Sequence, residues 1–276
     1  MNGKVPALSF LFISFALLFS FAVPVLLFFW YRRRKRADIL PFFIGCAVFL
    51  VFAMLIESLL NSLILTVLPL GKKIRGNIWA YALYGGFMAG LFEESGRFIA
   101  MKTVLRRFHG KDQNALMYGA GHGGCEAVMI LGMTSINNLI YSTLYNSGLT
   151  YRITGKIPEN MRDELLPQLE TVFDQLVSLP SWQFLLGPVE RIPAVIFHIA
   201  LSVLVWQAAR NGKKLWMFPL AALLHMALDA GSVLIANTGV HVLVVEGFIM
   251  AAALLAAVFS FVIYRRNRTE EPAPEN

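Results

Sequence analysis

Four short stretches carry side chains able to do acid-base or metal chemistry inside otherwise apolar surroundings. LFEESGRFIA holds Glu93, Glu94 and Arg97; GAGHGGCE holds His122 and Glu126; FHIAL holds His198; HMALD holds His225 and Asp229. Histidine and carboxylate are the residue types that move protons near neutral pH and that ligate zinc. Glu93 with Arg97, His122 with Glu126, and His225 with Asp229 are each four residues apart, which puts each pair on one face of a helix. Glu93 and Glu94 point about 100° apart. One can therefore face a reaction centre while Glu94 forms an i, i+3 ion pair with Arg97 that keeps both charges tolerable in lipid. Three histidines with carboxylates suit a catalytic zinc, which takes three protein ligands and one water. A metal-free centre, with glutamate and histidine activating water, needs the same residue types. The H-E-x-x-H pattern is absent, so a metal depends on convergence from separate helices.

Gly119, Gly121 and Gly124 of GAGHGGCE also spell G-x-G-x-x-G. A dinucleotide loop requires a preceding strand and a βαβ unit. Here LMY precedes and AVMILGM follows, so the glycines are expected to thin a membrane helix for a close neighbour, with Gly86 and Gly90 as a matching small-residue face. Neither a nucleotide nor a nucleic acid is expected as a partner.

The elements that must position these residues follow from composition. Of 276 residues, 57% are hydrophobic and 15% charged, far from soluble usage, and the mean hydropathy is positive. A helix crosses a hydrocarbon core of about 30 Å with about 20 residues. Seven stretches qualify, near 7–31, 39–68, 78–104, 113–141, 188–209, 215–236 and 240–264. The expected fold is an all-α polytopic membrane helical bundle of about seven transmembrane helices, a multi-pass protein of the plasma (cell) membrane with the lipid bilayer as its medium. Arg32 to Arg36 follow the first apolar run, so it reads as a retained helix and not a signal peptide. With the N-terminus outside and the C-terminus cytoplasmic, fifteen of the 24 Lys and Arg fall in inner segments and seven in outer ones. That bias fits the positive-inside rule, with Lys72, Lys73 and Arg75 as an outer blemish. The net charge of +7 accordingly reads as membrane orientation.

The expected organisation is a single transmembrane domain over 1–264, with its motif-bearing core at 78–236, an extracellular loop at 146–187, and a disordered cytoplasmic tail at 265–276. Within the loop, Leu169, Val172, Phe173, Leu176 and Val177 share a helical face opposite Glu170 and Asp174, which predicts a helix over 167–179 lying along the membrane or packed on the bundle. Cys46 and Cys125 sit in apolar runs and are expected to pack. Glu57 and Asn61, four apart without a nearby histidine, are expected to bond a neighbouring helix.

Ionisable residues within membrane spans usually face a protein interior. Counted from their helix ends, Glu93, His122, Glu126, His198, His225 and Asp229 lie about nine to fifteen residues in, all near mid-depth at about 1.5 Å rise per residue. Four helices thus offer acid, base or ligand groups in one layer.

Taken together, EESGR, HGGCE, FH and HMALD resemble the YhfC family of intramembrane metalloproteases. That family is similar in motif layout to the PrsW proteases and the CAAX prenyl endopeptidases, and more distantly to the scaffold subunit of γ-secretase. The resemblance covers 78–236. It implies hydrolysis of a peptide bond in a membrane-associated protein or peptide, with Glu93 of E-E-x-x-R as the water-activating base supported by Glu94 and Arg97. His122, His198 and His225 would be metal or catalytic histidines, with Glu126 and Asp229 as further ligands or their partners, and zinc as the cofactor. The CAAX enzymes have asparagine where Asp229 stands, so a prenylated substrate is not implied. Two other functions need the same buried groups: a proton-coupled membrane transporter, whose carboxylates and histidines relay protons, and a non-catalytic membrane scaffold. The chain shows no inverted repeat of the kind that transporters carry.

Overall fold

A bilayer offers no water to backbone N–H and C=O groups, so an apolar chain crossing it must satisfy them internally. The computed structural model describes residues 3–267, and among these no strand occurs. The main helices are α1 (Ala7–Arg34), α2 (Leu40–Val67), α3 (Pro69–Arg75), α4 (Ile78–Lys102), α5 (Gln113–Asn146), α6 (Arg162–Ser178), α7 (Leu186–Arg210), α8 (Met217–Asn237) and α9 (Val242–Asn267). By length and apolarity α1, α2, α5, α7, α8 and α9 can each cross a membrane. Helix α4 is 25 residues long, and before its closing Lys102 the charges that interrupt its apolar run are Glu93, Glu94 and Arg97. The all-α polytopic architecture of about seven spanning helices is therefore as expected. Arg265 to Asn267, placed in the tail, continue α9, and the expected disorder of 268–276 lies outside the described residues.

The chain packs as two compact units. The first comprises 3–22 and 127–191. Here α6 starts at Arg162, five residues before the expected Pro167, because Asp163 and Glu164 in its first turn complement the helix dipole. Leu176 of α6 is buried with Val5 and Ile13, and Phe173 is buried against the rings of Tyr141 and Tyr145, while Glu170 and Asp174 face out. The Val5 backbone N–H donates to Asn146 Oδ1 at 2.8 Å, and Asn146 Nδ2 donates back to Val5 O at 3.0 Å. The loop helix is thus packed on its own unit along its apolar face.

The second unit comprises 23–126 and 192–267 and contains every candidate site residue. At its centre runs α7, where Leu201, Leu204, Val205 and Trp206 are fully buried. Glycines set the helix spacing. A Cβ on Gly86 or Gly90 of α4 would stand 2.5 Å from the carbonyl oxygen of Met226 or Ala222 of α8, and one on Gly121 would stand 2.0 Å from Phe42 O of α2. The helix-thinning role of GAGHGGCE is therefore observed, with backbone meeting backbone where only hydrogen fits. The sequence did not announce α3. Its last turn carries Lys72, Lys73 and Arg75, where cations complement the helix C-terminus. Three stretches, Phe49–Glu57, Leu63–Val67 and Val128–Gly132, wind as π-helix, which a 3.6-residue periodicity does not reveal.

Candidate active site

Helix α4 brings Glu93, Glu94 and Arg97; α5 brings His122 and Glu126; α7 brings His198; α8 brings His225 and Asp229. All but Asp229 are buried. The mid-depth expectation is matched by contact: the His122 and His198 ring centroids are 5.0 Å apart and those of His198 and His225 are 5.3 Å apart.

One anchor is the ion pair expected for Glu94 and Arg97. Arg97 Nη1 donates to both Glu94 oxygens at 2.6 Å, a short charge-assisted contact in a fully buried setting. Its other terminal nitrogen, Nη2, lies 3.1 Å from His198 Nδ1. A guanidinium only donates, so Nδ1 of His198 is the acceptor and the ring proton sits on Nε2, 2.5 Å from Glu126 Oε2. His225 is set the other way round. Its Nδ1 lies 2.9 Å from Glu94 Oε1, and a carboxylate held by arginine accepts, so Nδ1–H donates. The other ring nitrogen, Nε2, faces Asp229, whose Oδ2 is 3.6 Å away.

Glu93 stands between the histidines. Its Oε2 is 2.8 Å from His122 Nε2 and 3.9 Å from His198 Nδ1. His122 Nδ1 is buried without a hydrogen-bond partner, and the ring sits against Phe49, edge-on, and Tyr118, stacked. Phe49 flanks the site without any signal in the sequence beyond its apolarity, whereas Tyr118 stands four residues before His122 and so on its face of the helix. The Glu57 and Asn61 pair behaves as expected: Asn61 Nδ2 donates to Glu57 Oε1 at 3.2 Å, and Tyr84 of α4 donates to Asn61 Oδ1 at 2.8 Å. Cys46 and Cys125 are free thiols, and Cys46 donates to the carbonyl of Gly121.

Glu93, His198 and His225 each offer one donor atom, all within 4.8 Å of one another. His122 lies outside that group and reaches it through Glu93. Residues 19–250 match the model of the family described as YhfC intramembrane metalloprotease. The chain belongs to the YhfC family. It is also 34% identical over 250 residues to the uncharacterized membrane protein YhfC of Bacillus subtilis (strain 168), covering 90% of this chain and 93% of the relative. No solved structure matches the chain.

The family description implies a metal, and the donor set fits one. His198 and His225 converge with Glu93, and Glu126 and Asp229 stand beside the same two rings, residue types that hold a catalytic zinc and supply its base. Four carboxylates, Glu93, Glu94, Glu126 and Asp229, each stand beside one of the site's histidines, and only Glu94 is paired with Arg97, which leaves carboxylate oxygens that suit a dication. The two histidines are not equally ready. Nε2 of His225 is oriented by the Glu94 bond on its far nitrogen, the arrangement that fixes metal-binding imidazoles. His198 Nδ1 is hydrogen-bonded by Arg97 and its Nε2 stands against the Glu126 carboxylate, so ligation there must move one of those neighbours.

Proposed function

We propose that this protein hydrolyses a peptide bond of a membrane-associated protein or peptide at a centre within the plasma membrane. The observation that carries the proposal is the convergence of Glu93, His198 and His225 to within 4.8 Å, inside a helical unit of a chain from the metalloprotease family. Zinc, the metal we assign, would be held by His198 and His225 with Glu93 beside them, and when bound it would lower the pKa of a water and polarise the scissile carbonyl.

The protein's own groups do the rest. Glu93 accepts the proton of the attacking water and returns it to the leaving amine. His122, 2.8 Å from Glu93 Oε2, donates to that carboxylate and fixes which of its oxygens is free to take the proton. Glu94 and Arg97 orient rings, with Glu94 holding His225 through Nδ1 and leaving Nε2 towards Asp229, and Arg97 fixing the tautomer of His198. Asp229, the most exposed of the set, stands where substrate and water would reach His225.

Glu93→Gln separates base from ligand. As the base, its loss lowers turnover of a membrane-peptide substrate by about 10²- to 10⁴-fold while zinc per mole of purified protein stays at the wild-type value. If Glu93→Gln cleaves at the wild-type rate, the proteolytic proposal fails. His225→Ala should lose both zinc and turnover.

One observation favours a second version. Because Arg97 occupies Nδ1 of His198 and the Glu126 carboxylate stands against its Nε2, Glu93 with an imidazole could activate water without metal. Full activity in wild-type protein stripped of zinc by chelator would select that version.

A further inference from the structure

On the basic ends of α1 and α9 a cavity of about 590 Å³ opens in the second unit, apart from the candidate active site. Ile196, Ile199 and Val203 of α7 line it, and at about 100° per residue His198 points to nearly the opposite side of that helix. The other walls include Leu116 of α5 and Ala257 and Phe261 of α9, all apolar. The rim is cationic, formed by Arg34, Lys35 and Arg36, and no acidic side chain lines the cavity. Among the described residues, no carboxylate pairs with these three exposed cations.

The rim is held in place by its backbone. Arg36 adopts a left-handed conformation, φ 54°, which costs a side-chain-bearing residue about 1–2 kcal/mol. The turn is secured by Ala37 N–H donating to Tyr31 O at 3.2 Å and by Arg32 Nη1 donating to Ala37 O at 3.0 Å. Trp30, Tyr31 and Tyr264 line the same level, as aromatic residues do where hydrocarbon meets headgroups. Within the cavity wall, Ser260 is buried and its hydroxyl has no hydrogen-bond partner.

We propose that this cavity binds an anionic phospholipid from the leaflet it faces, with the phosphate at Arg34, Lys35 and Arg36 and an acyl chain along α7 and α9. Charge and shape select this occupant together. A soluble anion would satisfy the cations and leave the apolar walls empty, whereas a zwitterionic lipid would bring its own cation against three others. Basic pockets between membrane helices take anionic headgroups on these grounds.

The test uses full-length protein in detergent, offered phosphatidylglycerol or phosphatidylcholine, with retained lipid counted by native mass spectrometry. Wild type should retain phosphatidylglycerol about tenfold over phosphatidylcholine, and excess glycerol phosphate should not displace it. Two variants attack the site independently: Arg34→Gln/Lys35→Gln/Arg36→Gln at the rim and Ala257→Trp in the slot, each expected to cut retention about tenfold. Arg106→Gln/Arg107→Gln, removing exposed cations outside the cavity, should change nothing. Should the triple variant not melt like wild type, Arg34→Gln alone replaces it. Equal retention of the two lipids, displacement by glycerol phosphate, full retention in Ala257→Trp, or an equal loss in the Arg106/Arg107 variant would each overturn the proposal.

Discussion

Glu94 Oε1 lies 2.9 Å from Nδ1 of His225 while both oxygens of the same carboxylate accept from Arg97. One buried carboxylate therefore neutralises a guanidinium and orients an imidazole. Breaking such a pair strands a charge, at a cost of about 3–5 kcal/mol. Glu94→Ala should lower the melting temperature strongly, and Arg97→Ala should do so as well. The double variant should cost much less than the sum of the two, because it strands neither charge. Additive losses in a double-mutant melting series would mean that the pair does not stabilise the unit as a pair.

The His198 tautomer follows from Arg97 alone. A donor-only guanidinium 3.1 Å from Nδ1 requires that nitrogen to be bare and Nε2 to carry the proton. In ¹⁵N-histidine-labelled protein the His198 resonances should show a protonated Nε2 and an unprotonated Nδ1, and Arg97→Gln should blur that preference. A wild-type His198 protonated at Nδ1 would contradict the arrangement.

Much of this site was legible in the sequence because depth along a helix is a linear quantity. Equal counts from the helix ends put Glu93, His122, His198 and His225 in one layer, and i, i+3 spacing sufficed for the Glu94 and Arg97 pair. What sequence could not supply was rotation between helices. Spacing left Glu93 and the three histidines as one undivided set, whereas the structure joins Glu93 with His198 and His225 and puts His122 behind Glu93. The same gap hid Phe49, which reaches His122 from α2, whereas Tyr118 stands four residues before His122 on the same face of α5. The π-helical winding of Phe49–Glu57 shifts the facing of α2, and nothing in a run of apolar residues encodes that shift. The Arg162 start of α6 was readable from Asp163 and Glu164 in the first turn and from Leu165 and Leu166, which extend the apolar stripe back past Pro167.

Close helix approach makes two glycines respond oppositely to the same change. A Cβ on Gly121 would meet the Phe42 carbonyl oxygen at 2.0 Å, a backbone atom that cannot swing aside, while one on Gly85 would meet nothing within 4 Å. Gly121→Ala should destabilise by about 1–3 kcal/mol or more. Gly85→Ala should be neutral or stabilising by up to about 1 kcal/mol, since alanine is the better helix former. Thermal melting of both variants checks this, and a Gly121→Ala protein as stable as wild type would refute the helix contact.

His109, in the segment between α4 and α5, supplies a pH dependence outside the membrane-spanning helices. Burial holds its imidazole pKa below the ordinary value of 6.5, aided by the cations of Arg210, Lys102 and Arg106 and opposed by the bond from its ring to Met101 O. The ring also packs edge-on against Trp206, with centroids 4.9 Å apart. Above about pH 6.5 the imidazole is neutral folded or unfolded, and this group gives stability no pH slope. As pH falls from there towards the lower folded value, the unfolded chain binds the extra proton and stability drops. His109→Gln removes that drop. Melting curves from about pH 7.5 to about pH 5 should therefore show the variant gaining on wild type as the solution is acidified. A melting difference that stays constant across the range would show that burial of His109 carries no proton linkage.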